Sequence, residues 1–173
     1  MTVRVIFLLR HALAMPPGSA AQDSARSLSA KGLEDAQILG RIMAQKKYIP
    51  DVVLCSPAIR TRQTREALGG IAPPEKTALL PILYDGGTQS YFEALQGLPD
   101  SARSVLLIGH NPCVHECAAG LAGDGPEAML QRLLSGYKPA TLSVLALELK
   151  AWADLRPRAA TLTDLLEAQD YAA

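Results

Sequence analysis

The residues of this chain best suited to chemistry gather in three short segments. Arg10-His11 closes an apolar run that begins at Val3. Ser56-Pro57-Ala58-Ile59-Arg60 follows the run Val52 to Cys55, and Gly109-His110-Asn111-Pro112 follows Val105 to Ile108. Two histidines and two arginines suit phosphoryl transfer. A guanidinium fork offers bidentate, charge-assisted hydrogen bonds to phosphate oxygens. Negative charge spreads over the equatorial oxygens as the group transfers, and fixed cations there lower the barrier. A neutral imidazole nitrogen is a competent nucleophile that divides one difficult displacement into two easier ones. On this reading one histidine attacks in line while the other, better protonated, donates to an equatorial oxygen. A bell-shaped pH profile is the expectation. The arginines supply the positive charge, so no metal or other cofactor is required.

The elements that must position these residues are legible as apolar runs and helix signals. Val3 to Leu9, broken only by Arg4, reads as a strand buried on both faces, as do the shorter Val52 to Cys55 and Val105 to Ile108. Thr141 to Leu149 is the fourth strand. Ser29 is expected to cap a helix whose face carries Leu33, Ala36, Leu39, Ile42 and Met43 and which ends near Lys46, Lys47 and Pro50. Thr88 is expected to cap another, with Tyr91, Leu95 and Leu98 facing inward. Ser56-Pro57 and Asn111-Pro112 each pair a capping residue with a proline at the first helical position, so both strands should turn directly into helices. Ala12 to Gln22 reads as a loop, and the tail after Trp152 carries no clear pattern. Strands alternating with helices imply a single α/β domain over residues 1–173, three layers deep, with a mainly parallel sheet. In such sheets ligands bind beyond the carboxyl ends of the strands, where all three segments fall.

Bulk composition agrees. With 17 basic and 17 acidic side chains the chain lacks the excess positive charge of a nucleic-acid binder. No apolar run approaches the length of a membrane span. The N-terminus does not read as a signal peptide, and three cysteines give no disulfide framework, so the cytoplasm is the expected compartment.

The set Arg10-His11, Ser56-Pro57-x-x-Arg60-x-x-Gln63-Thr64 and Gly109-His110-Asn111-Pro112 resembles the histidine phosphatase superfamily, which includes the phosphoglycerate mutases. Two features are similar to the SixA-type phosphohistidine phosphatases in particular: Ala12 directly after His11, and the segment Asp23-x-x-Arg26-x-Leu28-Ser29-x-x-Gly32. The resemblance implies a phosphoglycerate mutase-like fold, phosphorylation of His11, and a phosphate pocket completed by Arg10, Arg60 and His110. It also implies a leaving-group acid after the second motif. The candidate is Asp85, in Leu83-Tyr84-Asp85-Gly86-Gly87, although Asp-Gly-Gly is equally a turn signal.

Arg26 is a candidate phosphate contact or a salt-bridged arginine near a helix start. Arg62 and Arg65 read as surface residues, and Gln63 and Thr64 as packing partners. His110, Cys113, His115 and Cys117 are crowded enough to raise a zinc site, but on a helix from Pro112 the two cysteines share a face that His115 does not. Gly86-Gly87 and Gly123-x-Gly125 lack the strand-to-helix context of a nucleotide loop and read as turns. The leading expectation is a metal-independent phosphatase acting on phosphohistidine in a protein, its open site reflecting the short stretch between Arg60 and His110. The alternatives are a small-molecule phosphatase or mutase, and a non-catalytic phosphate-binding protein. The oligomeric state is not legible.

Overall fold

The computed structural model describes residues 1–171. Seven strands form one sheet: β1 (Thr2–Arg10), β2 (Val52–Cys55), β3 (Thr77–Leu79), β4 (Ser104–Gly109), β5 (Ala122–Asp124), β6 (Leu142–Leu149) and β7 (Ala160–Leu166). Their order across the sheet is β3-β2-β4-β1-β6-β7-β5. The pairs from β3 to β1 and the β5–β7 pair are parallel, while β6 is antiparallel to both its neighbours. The mainly parallel sheet matches expectation. The strands that composition concealed are the three at or near the edges. β3 and β5 are three residues long, and β5 reads Ala-Gly-Asp, with little intrinsic strand preference. Gly123, expected in a turn, sits inside β5 because the Arg158 carbonyl runs against it, 1.9 Å from where a Cβ would lie.

Alternation along β1 divides the core. Ile6 and Leu8 face one apolar cluster, Phe7 and Leu9 the other. The first is covered by α4 (Thr88–Gln96), α5 (Cys113–Leu121) and α6 (Glu127–Ser135), through Tyr91, Leu95, Val114, Cys117, Leu121 and Leu133. The second is covered by α1 (Ala30–Gln45) through Leu39 and Met43, with Leu68 arriving just after α2 (Ile59–Ala67). Two short helices, α3 (Ile82–Asp85) and α7 (Ala168–Tyr171), complete the three layers. Arg4, the charge in the body of β1, is buried. Its guanidinium donates to the Ala102 carbonyl at 2.7 Å and lies 4.9 Å from the Trp152 ring centroid.

Ser29 caps α1 as expected, its Oγ accepting from Gly32 N at 3.0 Å. The buried face of α1 is rotated from the expected one. Leu33 is exposed and Gly32 is buried, because the Leu13 backbone lies against Gly32 with its carbonyl oxygen 2.1 Å from a Cβ position. The three remaining caps also differ from expectation. α2 begins at Ile59 and α5 at Cys113, and Thr88 lies inside α4, after Gly87. Asn111 and Thr88 turn their side chains to the Tyr137 carbonyl and Glu116 instead, and Ser56 Oγ holds His110 at 2.8 Å while meeting the Ala58 N–H at only 3.4 Å. Tertiary partners outcompeted local capping. Among the described residues no helix is long and apolar enough to cross a membrane.

Candidate active site

Strand register assembles the site. β1 pairs with β4 so that Leu9 lies beside Ile108 and Arg10 beside Gly109, and the next residues out of the sheet are His11 and His110. β2 pairs Cys55 with Ile108, which brings Ser56 to the same edge. The imidazole centroids are 5.3 Å apart, close to the spacing of roughly 4.8 Å between neighbouring strands. Parallel pairing thus sets the distance between the two histidines.

His11 is 7 % exposed. Its Nδ1 lies 2.7 Å from the Ala12 carbonyl, which can only accept, so Nδ1 carries the proton and Nε2 keeps its lone pair. Burial, reinforced by the charges of Arg10, Arg60 and Arg26, pulls its pKa down to about 4 against the opposing effect of the Ala12 bond. The ring is therefore neutral at pH 7. Thr64 Oγ1 fixes the turn beneath it, accepting from Ala12 N at 3.0 Å and donating to the Arg60 carbonyl at 2.7 Å.

His110 is held from both ends. Its backbone N–H donates to Tyr91 Oη at 3.0 Å, and its Nε2 lies 2.8 Å from Ser56 Oγ. Tyr91 in turn donates to the Leu83 carbonyl at 2.9 Å and passes over Gly109, where a Cβ would fall 2.3 Å from the phenol oxygen. Only glycine permits that approach. The expectation of a protonated His110 is not met: burial first, then the competing His11 ring and the charges of Arg60 and Arg10, pull its pKa down to about 3, with only Asp23 opposing. Cations outnumber carboxylates around it.

The two arginines close the pocket. Arg10 Nη1 donates to the Tyr137 carbonyl at 2.9 Å. Arg60, 5 % exposed, donates from Nη1 to the Asp23 carbonyl at 2.8 Å and from Nη2 to Asp23 Oδ2 at 3.0 Å. Asp23 also accepts from Arg26 Nε at 2.9 Å and from the Tyr84 phenol at 2.9 Å. The Tyr84 ring meets His110 edge-on at 5.4 Å, with the Arg60 guanidinium 5.9 Å from its centroid. Arg10 Nε, Arg60 Nε and His110 Nδ1 are buried without a protein partner. Two guanidiniums and two imidazoles gathered in one cluster suit an anion with several oxygens.

The structure thus brings Arg10, His11, Arg60 and His110 together. Arg26 reaches the cluster through Asp23, its Nη1 being tied to the Met15 carbonyl at 2.7 Å. Asp85 is exposed at the end of α3, and among the described residues its carboxylate has no partner, while the preceding Tyr84 faces His110. Arg62 is exposed as expected, but Arg65 is not a free surface residue, since its side chain is 12 % exposed and holds the Ala72 carbonyl at 3.0 Å. Gln63 Oε1 accepts from Leu28 N at 2.7 Å, tying α2 to the segment before α1. His115 Nε2 is engaged by the Leu133 carbonyl at 2.7 Å and Cys117 is core. No group of three metal-ligating side chains occurs among the described residues. The functional-site residues that sequence reasoning missed are Asp23, Ser56 as a partner of His110, Tyr84 and Tyr91. Asp23 and Tyr84 stood in quoted motifs, one as a segment marker and the other beside Asp85.

No family model matches the chain. The phosphohistidine phosphatase SixA of Escherichia coli is 32 % identical over 127 residues, covering 70 % of this chain and 76 % of that protein. A solved structure from Nakamurella multipartitia, assigned as a SixA phosphohistidine phosphatase, superposes with a TM-score of 0.83 at 30 % identity, covering 96 % of this chain and 97 % of the other. A phosphoglycerate mutase from Plasmodium falciparum shares the fold, with a TM-score of 0.58 at 19 % identity over 96 % of this chain and 91 % of the mutase.

Proposed function

This chain belongs to the SixA-type histidine phosphatases, and from that premise we propose that it removes phosphate from phosphohistidine on a protein, through a phosphoenzyme formed at His11. Its phosphatase class follows from its relatives; the substrate and the roles of the residues are our reading. We take residues 1–173 as one catalytic domain.

The observation that carries the reading is the Nδ1–H bond from His11 to the Ala12 carbonyl, which leaves Nε2 unprotonated beside two guanidiniums. In the first step Nε2 attacks phosphorus, the bond to the leaving group breaks, and its electron pair departs with that group. Arg10, Arg60 and His110 hold the equatorial oxygens. In the second step water attacks the phosphorus, the P–Nε2 bond breaks, and the pair returns to the imidazole. A protein substrate suits the rim, where the Asp23 side chain is 54 % exposed while the Arg60 beneath it is 6 % exposed.

The direct test is to quench the enzyme during turnover and map the phosphorylated residue by mass spectrometry. Phosphate on His11, and no trapped phosphate in His11→Ala, is the expected result. Modification elsewhere, or equal turnover of a chromogenic ester by the two proteins, refutes the assignment. Activity should persist in EDTA, since the cations are side chains; its loss would also refute the scheme.

A further inference from the structure

Among the described residues no carboxyl group hydrogen-bonds to His11, Arg10 or His110, and Asp85 is exposed without a side-chain partner. The carboxylate that is present, Asp23, is held down to about 2, chiefly by the Tyr84 phenol and further by Arg26 and Arg60, so it carries no proton at neutral pH. Burial and Asp23 push the Tyr84 phenol up, which makes it a poor proton source. What Tyr84 and Asp23 do present is an aromatic ring and an ionised carboxylate, joined at 2.9 Å, on the solvent side of the phosphate-holding groups. That pair suits a flat ring bearing a positive charge or a polar N–H.

We infer that Tyr84 and Asp23 form the recognition site for the leaving imidazole of a phosphohistidine, the Tyr84 ring lying against it and the Asp23 carboxylate holding the proton on its distal nitrogen. This rests on the phosphohistidine reading above and deepens it. The balance of the step is complete without an acid. His11 Nε2 bonds to phosphorus, the P–N bond breaks, and its electron pair stays on the leaving nitrogen. The distal N–H remains in place, so the ring departs as neutral imidazole rather than as an anion. An alcohol has no second nitrogen to be held protonated and must leave as an alkoxide or be protonated by a group this rim does not offer. The pair therefore leads to the expectation of a preference for P–N over alkyl P–O bonds.

Asp23 also positions Arg60, so the test must separate the two roles. The kcat/KM values of wild type, Asp23→Asn and Tyr84→Leu are compared on a histidine-phosphorylated peptide and on acetyl phosphate. Acetyl phosphate has a good leaving group with neither a ring nor a distal N–H. Damage to Arg60 lowers both values together. A leaving-ring role lowers the ratio of the two by about tenfold or more in Asp23→Asn, the effect of losing a hydrogen bond to a charged group. The ratio should fall by about threefold to tenfold in Tyr84→Leu, as for a lost aromatic contact. The wild-type ratio should also decline as pH rises past the point where the phosphohistidine ring loses the proton on its distal nitrogen. In Asp23→Asn that decline should move to lower pH. Equal losses on both substrates in Asp23→Asn, with an unmoved pH profile, overturn the inference and leave Asp23 as a positioning residue alone. Wild type that consumes acetyl phosphate but leaves the histidine-phosphorylated peptide intact refutes the substrate reading itself, a separate result read before any variant.

Discussion

Lowering the pH should leave the nucleophile working where an ordinary histidine would already be protonated. With His11 at about 4, the fraction of neutral ring at pH 5.5 is about 97 %; with an unperturbed pKa of about 6.5 it would be about 9 %. The acid limb of kcat/KM should thus fall near pH 4, about two and a half units below that of a solvated imidazole. The same shift couples to stability with a definite sign. A histidine whose folded pKa is depressed gives the unfolded state more bound protons between the two pKa values, so stability rises with pH there and is lost as pH falls from about 6.5 toward 4. Working the linkage through, His11 alone should cost about 2 kcal/mol between pH 8 and pH 5, and about 3 kcal/mol once pH drops below 4. Two measurements check this. An NMR titration of the His11 ring should show its midpoint near pH 4. Urea unfolding of wild type and His11→Ala at pH 8 and pH 5 should differ in pH slope by the stated amount, which removes the contribution of other titrating groups from the comparison. A His11 midpoint near 6.5, or identical pH slopes in the two proteins, would refute the argument that burial and three guanidiniums keep this ring neutral.

Thr64→Val keeps the shape but strands the Ala12 N–H, and should cost about 1–3 kcal/mol in urea unfolding together with a fall in kcat as the turn bearing the Ala12 carbonyl loosens; a cost within error of zero would show that the bond is unimportant. Gly109→Ala sets a methyl 2.3–2.8 Å from the fully buried Tyr91 phenol and ring, so a loss of about 3 kcal/mol or failure to fold is expected, and a normal melting curve would contradict the packing. Arg60→Lys preserves the charge but not the fork, and kcat/KM should drop by about a hundredfold; a drop of less than about threefold would mean that bidentate geometry is not used.

Much of the site was readable because it sits where strands end. Continuous apolar runs mark buried parallel strands, and the polar residues immediately after them must emerge at one edge of the sheet. That logic led to the expectation that Arg10, His11 and His110 meet at one edge with Arg60 from the following helix, and the structure brings these four together. The helix begun by Ser29 was equally legible, because its cap interaction spans only three residues. Local signals failed wherever a distant partner offered more. Ser56 and Asn111 are good capping residues, yet each bonds across the fold, to His110 and to the Tyr137 carbonyl. Leu33 fits the helical stripe but faces solvent, since the approach of Leu13 to Gly32 sets the rotation of α1.

Sequence by itself therefore singled out Arg10, His11, Arg60 and His110, the strand ends that carry their three segments and the family they resemble. Tertiary structure alone decided the protonation states and the rim. The 5.3 Å between the imidazoles comes from the β1–β4 register, and the neutrality of both rings comes from burial beside guanidiniums brought from separate elements. Asp85 and Tyr84 are adjacent in the chain, and no local pattern says which one faces the cluster. The contacts Tyr84 makes to His110 and to Asp23, 61 residues away, settle it in favour of the aromatic ring. Long-range electrostatics and packing depend on coordinates that no spacing along the chain encodes.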